Sequence, residues 1–568
     1  MHRAVRRDIL GAMRVLVLVA VAGCSSGAPP RALVPSSQRL PAPVSIDPGV
    51  RGAGYLTAVA AQLQPRWGAF LEDCRLRLPA SHPLNATVLA ATFELAIDPT
   101  GTLVQRRQVA TSGNGDFDTA AADVLADASP LPSPAGELLS DDGLAHVRWQ
   151  FARDRRQAGA ATARIVTVEL PLLAVADTLI GRGELVRAAR RIAAAPVATP
   201  DRGAATQRVM VAALREALAS PNGAARRAAV EACGRARVVE LADAVRGQLA
   251  ATTDPELRAA AIAAVGALGD RAAAPALLLA LRDDLAHHSQ VAIDRVAALV
   301  AIDHAQDAAD VVRAVLDAGP NATALAALAI TPIPAVAGKL PAWAGGDATM
   351  RGAVCAALPA AAPATAVALI TRGLRDADAT VRATCTDAAA RAGAARVDAA
   401  ILRRLHELTR DRDRSVRARA VAAIGQLDPA HQVRAGEDPA AEVRAAFAPS
   451  ASEAELQVLV ADHAPEVRAA ALAALVVFGD RARDAARHAA GDPAAAVRRV
   501  AIAALDDPLA LERLARDDSP EVASAALVRL TALHGRTALT SQLLERLAAA
   551  PAGSSERARI ALAWLLAS

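Results

Sequence analysis

The sequence of 568 residues contains one tyrosine, four tryptophans, six phenylalanines and five cysteines, and Lys339 is its single lysine. So few aromatics argue against a large β core, whose strands favour bulky aromatic and β-branched side chains. The hydrophobic 53% is mostly Ala, Leu and Val, which suits slim, closely packed helices. That apolar fraction excludes a disordered chain, and 33 Pro with 34 Gly exclude a collagen-like one. The apolar run Val15–Gly23 falls short of the roughly 20 residues that cross a bilayer, which excludes a lasting transmembrane helix there. A Gly-rich phosphate loop, an HExxH zinc motif and a GxSxG elbow are all missing, and with them the chemistries they carry.

The formal charge is +4, from 63 basic and 59 acidic residues. Residues 1–23 hold four arginines against one aspartate, so the remainder carries only +1. A near-neutral chain has no broad basic field for phosphate backbones, and nucleic acid is excluded as the expected partner. The near-absence of lysine fits a codon bias towards Arg and Ala.

Met1–Arg14 is short and basic, an apolar stretch follows, and small residues precede Cys24. This is the pattern of an export signal. Val21-Ala22-Gly23-Cys24 resembles the lipobox of bacterial lipoproteins. The resemblance implies cleavage after Gly23, lipidation of Cys24 and anchoring by several acyl chains, each buried methylene contributing about 0.8 kcal/mol. Ser25, where an aspartate would signal inner-membrane retention, implies the outer membrane, with the chain on its periplasmic side. Residues 24–51 are rich in Pro, Ser and Ala and read as a flexible tether.

Cys74, Cys233, Cys355 and Cys385 are widely spaced and form no CxxC or zinc pattern. In an exported protein they can oxidise, but the last three lie in Ala-rich helical stretches, where a buried thiol packs like a small apolar group. Free thiols are the expectation, with pairing left open.

Seven of the eleven aromatics fall between Tyr55 and Phe151, marking a domain of its own over 52–172. Leu56, Val59, Leu63, Trp67 and Phe70 recur at helical steps. Val88–Ile97 reads as a strand, Asp98-Pro99-Thr100-Gly101 as a turn and Leu103–Val109 as the returning strand. A helix over Phe117–Ala128, a strand over His146–Phe151 and a further strand over Arg164–Leu170 follow. This order, with Phe93–Gly101, Val109–Gly113, Phe117–Ala121, Pro130–Pro134 and Trp149–Phe151, resembles the C-terminal domain of TonB and TolA. The resemblance implies docking onto other envelope proteins, partly by edge-strand pairing. The inner-membrane helix of those transducers is exchanged here for lipid, so docking rather than energy transduction is the implied role.

From 178 to 568 a phrase recurs: Asp254-Pro255-Glu256-Leu257-Arg258, Pro465-Glu466-Val467-Arg468 and Asp492-Pro493-Ala494-Ala495-Ala496-Val497-Arg498. Looser copies surround Arg382, Arg417, Arg444 and Pro520, with degenerate ones near 289, 320 and 557. Asp or Ser caps a helix, Pro suits its first position, and apolar residues at steps of three and four form a buried stripe. Gly266, Gly269, Gly425 and Gly479 read as chain-turning glycines at helix ends. The units resemble short bacterial HEAT repeats of the phycobilin-lyase kind, ten to twelve in number. The resemblance implies a right-handed superhelix with an extended concave face. The fold class is thus mainly α, a HEAT-like solenoid preceded by a small α+β domain.

Arg258, Arg382, Arg417, Arg444, Arg468 and Arg498 recur at one place in the phrase. They could line a groove for acidic ligands, but bonds to capping aspartates and nearby carbonyls are the favoured explanation. His406-Glu407 is the sole His-Glu pair, too few for the di-iron sites of HEAT-repeat hydroxylases, and the doublet His287-His288 reads as solvated loop. No catalytic residue, metal or cofactor is expected. The leading reading is a non-enzymatic, lipid-anchored periplasmic adaptor binding envelope proteins. The alternative is a ligand- or cofactor-binding enzyme accessory using the concave face.

Overall fold

In a computed structural model of the chain, residues 46–567 are described, apart from 155–158, 160–161, 359–360, 394–397 and 431–432. The expected signal, Cys24 and the beginning of the tether lie outside the described residues. The chain divides into two compact units: Met1–Leu138 with Ala145–Val166, and Leu139–Leu144 with Thr167–Ser568.

The first unit is built from α1 (Ala53–Arg77), β1 (Ala90–Ile97), β2 (Leu103–Ala110), α2 (Gly115–Asp127), β3 (Ala145–Ala152) and β4 (Arg164–Val166). Its antiparallel sheet has the order β2-β1-β3-β4. Alternation puts Ala91, Phe93, Leu95 and Ile97 of β1 and Val147, Trp149 and Phe151 of β3 into one core with α1 and α2. Trp67 stands edge-on to Phe117 and Phe151, with ring centroids 5.1 and 4.8 Å away. Its indole N–H donates to the Ala152 carbonyl at 3.3 Å. Asn114 caps α2 by accepting from Asp116 and Phe117 N–H at 3.1 Å each. The last strand covers only Arg164–Val166, shorter than expected.

The second unit opens with α3 (Leu172–Gly181), α4 (Leu185–Ala193) and α5 (Arg202–Leu218). Helix pairs follow: α6 (Gly223–Ala236) and α7 (Ala242–Ala251), α8 (Pro255–Leu268) and α9 (Ala274–Ala286), α10 (Val291–Ala301) and α11 (Ala305–Ala318). After α12 (Ala322–Ala327) come the short α13 (Pro334–Ala337) and α14 (Leu340–Trp343), then α15 (Ala348–Ala356) with α16 (Pro363–Gly373). Next are α17 (Ala379–Ala392) with α18 (Ala399–Leu408), and α19 (Arg414–Leu427), which has no following helix among the described residues before α20 (Ala441–Phe447). The array ends with α21 (Glu453–Leu459), α22 (Pro465–Leu475), α23 (Asp480–Ala489), α24 (Ala495–Ala501), α25 (Pro508–Leu514), α26 (Pro520–His534), α27 (Arg536–Ala549) and α28 (Ser555–Leu566).

The first helices of these units pack side by side in one row: α6, α8, α10, α12, α15, α17, α19, α20, α22, α24, α26 and α28. Second helices touch one another at only a few places, so they occupy the longer, outer arc. Small residues let the inner row close up. A Cβ on Gly234 would lie 2.9 Å from the Ala264 Cα, and one on Gly266 would lie 3.2 Å from the Ala298 Cα. Gly266 and Gly425 therefore serve helix contact from within α8 and α19 rather than ending them, while Gly269 and Gly479 do turn the chain at positive φ.

The row does not end. Helix α28 packs against α26 on one side and α6 on the other, and α5 lies across both α28 and α6 as an outer helix. The first and last elements of the array thus complete one shared repeat. Arg557 donates to Glu216 at 2.6 Å, Arg202 to the Ser541 hydroxyl at 2.6 Å, and Ser541 to the Ala193 carbonyl at 3.0 Å. The HEAT resemblance implies a superhelix with an extended concave face, and in the structure the inner row of this array returns on itself as a closed circle. The physical reason is cumulative: twelve inner helices need an average turn of only about 30° per step to return to the start. Among the described residues no inner helix packs on one across the circle.

Cys355 of α15 and Cys385 of α17 are joined by a disulfide, with Cα atoms 5.1 Å apart. The expectation of free thiols is corrected here, because neighbouring inner helices bring positions 30 residues apart face to face. Cys74 and Cys233 are buried and free, and burial pushes the Cys233 thiol up to about 12.

Candidate docking surfaces

Among the described residues strand β2 has β1 on one side and an open edge on the other, and seven of its eight residues are exposed. Its register with β1 skips Val104 and Val109, two bulges that leave these valines 58% and 37% exposed. Bulges at both ends limit indiscriminate pairing and frame a regular stretch, Gln105–Gln108. On the face away from the helices, Glu94 of β1 pairs with Arg107 of β2 and Arg148 of β3, tying the edge strand into the sheet. The bond from Arg148, helped by Arg107, holds the Glu94 carboxyl below its usual range. Asp98 fixes the β1–β2 turn by accepting from Thr100 and Thr102 N–H at 2.8 and 2.9 Å.

In the circle, the recurring arginines form a ladder. Nε and Nη2 of Arg382 both donate at 2.8 Å to the two oxygens of Asp411, in the loop before the next inner helix. Its Nη1 donates back to the Asp376 and Ala377 carbonyls at 2.9 Å each. The same fork joins Arg351 to Asp376, Arg417 to Asp438, Arg444 to Asp462, Arg468 to Asp492 and Arg498 to Asp517. Each aspartate also accepts the N–H two residues on, so one carboxylate both shapes its turn and holds the preceding repeat.

The arginine bond is the main cause that holds Asp376, Asp462, Asp492 and Asp517 below the usual carboxylate value. At Asp411 and Asp438 burial pushes upward, and the arginine bonds with the turn N–H outweigh it. Five of the six arginines singled out from sequence are therefore engaged in the scaffold, while Arg258 donates to the Thr252 carbonyl at 3.1 Å and, among the described residues, makes no such fork. The aspartate partners escape sequence reading because they lie 18 to 29 residues downstream of their arginines. A usable signal does exist for these six: an aspartate two positions before the cap of α17, α19, α20, α22, α24 and α26.

That offset corrects the reading of the phrase itself. Asp254 caps α8 with Pro255 at the first position, but α20 and α24 are capped at Ala440 and Ala494. Asp438-Pro439 and Asp492-Pro493 therefore sit outside their helices. His287 and its neighbour stand in an exposed turn, with His287 Nδ1 2.9 Å from the Asp283 carbonyl. Among the described residues no group of three or more His, Cys, Asp or Glu side chains is placed to hold a metal ion.

Two stretches of the chain match known families. Residues 52–141 match the family model described as TonB C terminal, and residues 211–294 the one described as HEAT repeats. Together they give a TonB C-terminal-like domain followed by a HEAT-repeat array. Both are generally modules of protein–protein interaction. None of the curated proteins matches this chain. An engineered protein of solved structure is 17% identical, with 98% of its length and 64% of this chain covered, at a TM-score of 0.20. Among the described residues no helix is long and apolar enough to cross a membrane.

Proposed function

We propose that the chain is a lipid-anchored adaptor of the cell envelope, without catalysis of its own. In it the TonB-like domain docks on one envelope protein and the helical circle holds a second. The observation that carries this reading is the open β2 edge. Unpaired backbone groups along an exposed strand are what an extended peptide needs to add itself to a sheet. Two features support the envelope address: the lipobox-like Val21–Cys24, and a disulfide of the kind that persists in oxidising compartments.

The test uses the full chain and a Val104→Lys/Val109→Lys variant, which places charge at both bulges without touching the core. Partners recovered from solubilised membranes should be lost by the variant and by a chain lacking residues 52–166. An unchanged set would reject docking through this edge. In parallel, a fatty-acid analogue should label the native chain and miss Cys24→Ala; equal labelling would remove the lipid anchor.

A further inference from the structure

One position of the ladder is present without its acid. Arg226, in the first turn of α6, makes the same backward bonds as its counterparts, with Nη1 donating to the Ser220 and Pro221 carbonyls at 2.8 and 3.0 Å. In six later repeats such an arginine turns Nε and Nη2 onto both oxygens of the next loop's aspartate, which stands two residues before a helix cap. For Arg226 the next cap is Asp254, and the residue two before it is Thr252. Thr252 keeps the turn, its hydroxyl oxygen accepting from Asp254 N–H at 3.1 Å, but it carries no carboxylate.

Where that carboxylate would stand there is space. A cavity of about 320 Å³ is lined by Leu218, Ser220, Arg226, Gln248, Ala251 and Thr252. Among the described residues Nε and Nη2 of Arg226 have no hydrogen-bond partner. The Thr252 hydroxyl retains a proton to donate, and Arg258 brings a second guanidinium to the same loop through the Thr252 carbonyl. Asp254 in the same loop turns its Oδ1 to the helix, accepting from Glu256 N–H at 3.0 Å. A half-buried guanidinium with a free two-pronged edge matches the geometry of a carboxylate, the group that fills this place in the six later repeats.

We infer that the cavity beside Arg226 binds a carboxylate supplied from outside the chain, in the place that aspartate fills elsewhere in the ladder. The source is either an acidic side chain on a docked protein or a free small carboxylate. The site is independent of the β2 edge, so either can fail alone.

The test measures thermal unfolding of the full chain at constant ionic strength, with chloride as reference. The probes are acetate, a doubly capped tripeptide centred on Asp, and its Asn counterpart. A ligand that binds only the folded state raises the Tm in proportion to its occupancy. Acetate and the Asp peptide should raise it, and the Asn peptide should not. Thr252→Asp supplies the missing acid internally, so it should melt higher than the native chain and lose the response. Arg226→Gln should lose the response without that gain. A shift with acetate alone assigns the site to small carboxylates, and one with both probes admits a protein side chain. Equal responses from the native chain and Thr252→Asp, or none from the native chain, would overturn the inference.

Discussion

Arg557 Nη1 donates to Glu216 Oε2 at 2.6 Å across 341 residues of sequence, and this bond locks the last inner helix to the outer helix at the start of the array. Arg557 is 3% exposed and also donates from Nε to the Ala550 carbonyl at 3.0 Å. Replacing it with Ala should cost about 2–4 kcal/mol, since it removes a buried charged partner along with its packing. The more decisive measurement is hydrogen exchange. Deleting residues 555–568 should deprotect α5 and α6 along with α26, whereas in an open array the far end would be unaffected.

The ladder pairs differ sharply from surface pairs. The side chains of Arg382 and Asp411 are only 6% and 9% exposed, whereas Arg414 and Glu442 are 74% and 42% exposed. Asp411→Ala leaves a buried guanidinium without its acid and should cost about 3–5 kcal/mol. Glu442→Ala should change stability by no more than about 1 kcal/mol. Urea unfolding of the two variants checks both values, and equal losses would remove the ladder from the account of stability.

Acid should dismantle the circle through the same aspartates. Asp376, Asp411, Asp438, Asp462, Asp492 and Asp517 titrate below their unfolded value of about 3.9. Each therefore stabilises the fold fully above that value, and its contribution is lost as pH falls through the lower folded one. Melting temperature should hold from neutral pH to about 5 and fall steeply below about 4. Asp492→Asn should lower the plateau and shallow the fall.

Much of this architecture is legible in sequence where the cause is local. Clustered aromatics and period-two alternation around Phe93 and Trp149 mark the small sheet, and the Asp-Pro-Glu phrase marks the inner helices. Even the degenerate copies near 289, 320 and 557 fall at the starts of α10, α12 and α28. What escapes depends on distance. The partner of Arg382 is set by the length of the intervening outer helix, and capping at Ala440 rather than Asp438 by where the preceding repeat's Arg417 needs its acid. The meeting of Cys355 with Cys385 needs the repeat rise. Closure needs the sum of every step, which no single phrase states. The open β2 edge is readable as a strand, but its bulges at Val104 and Val109 follow only from the register with β1.

The disulfide should matter thermodynamically. Closing a loop of 30 residues restricts the unfolded chain by about 3.5 kcal/mol on the entropy account. Cys385→Ser should lower stability by an amount near that, and a reductant should bring the native chain to the same level. Gly373→Ala should also destabilise, because its Cβ would press on the Cys385 sulfur. Insensitivity of the native chain to reductant would exclude the bond.

A line of repeats can grow or shrink at its tips; a circle has no tips. Gaining or losing one inner helix here would change the angle required at every junction at once, so the membership of twelve is fixed collectively. Variation is left to the periphery, where among the described residues the segment between Leu427 and Ala441 carries no outer helix and the round stays unbroken.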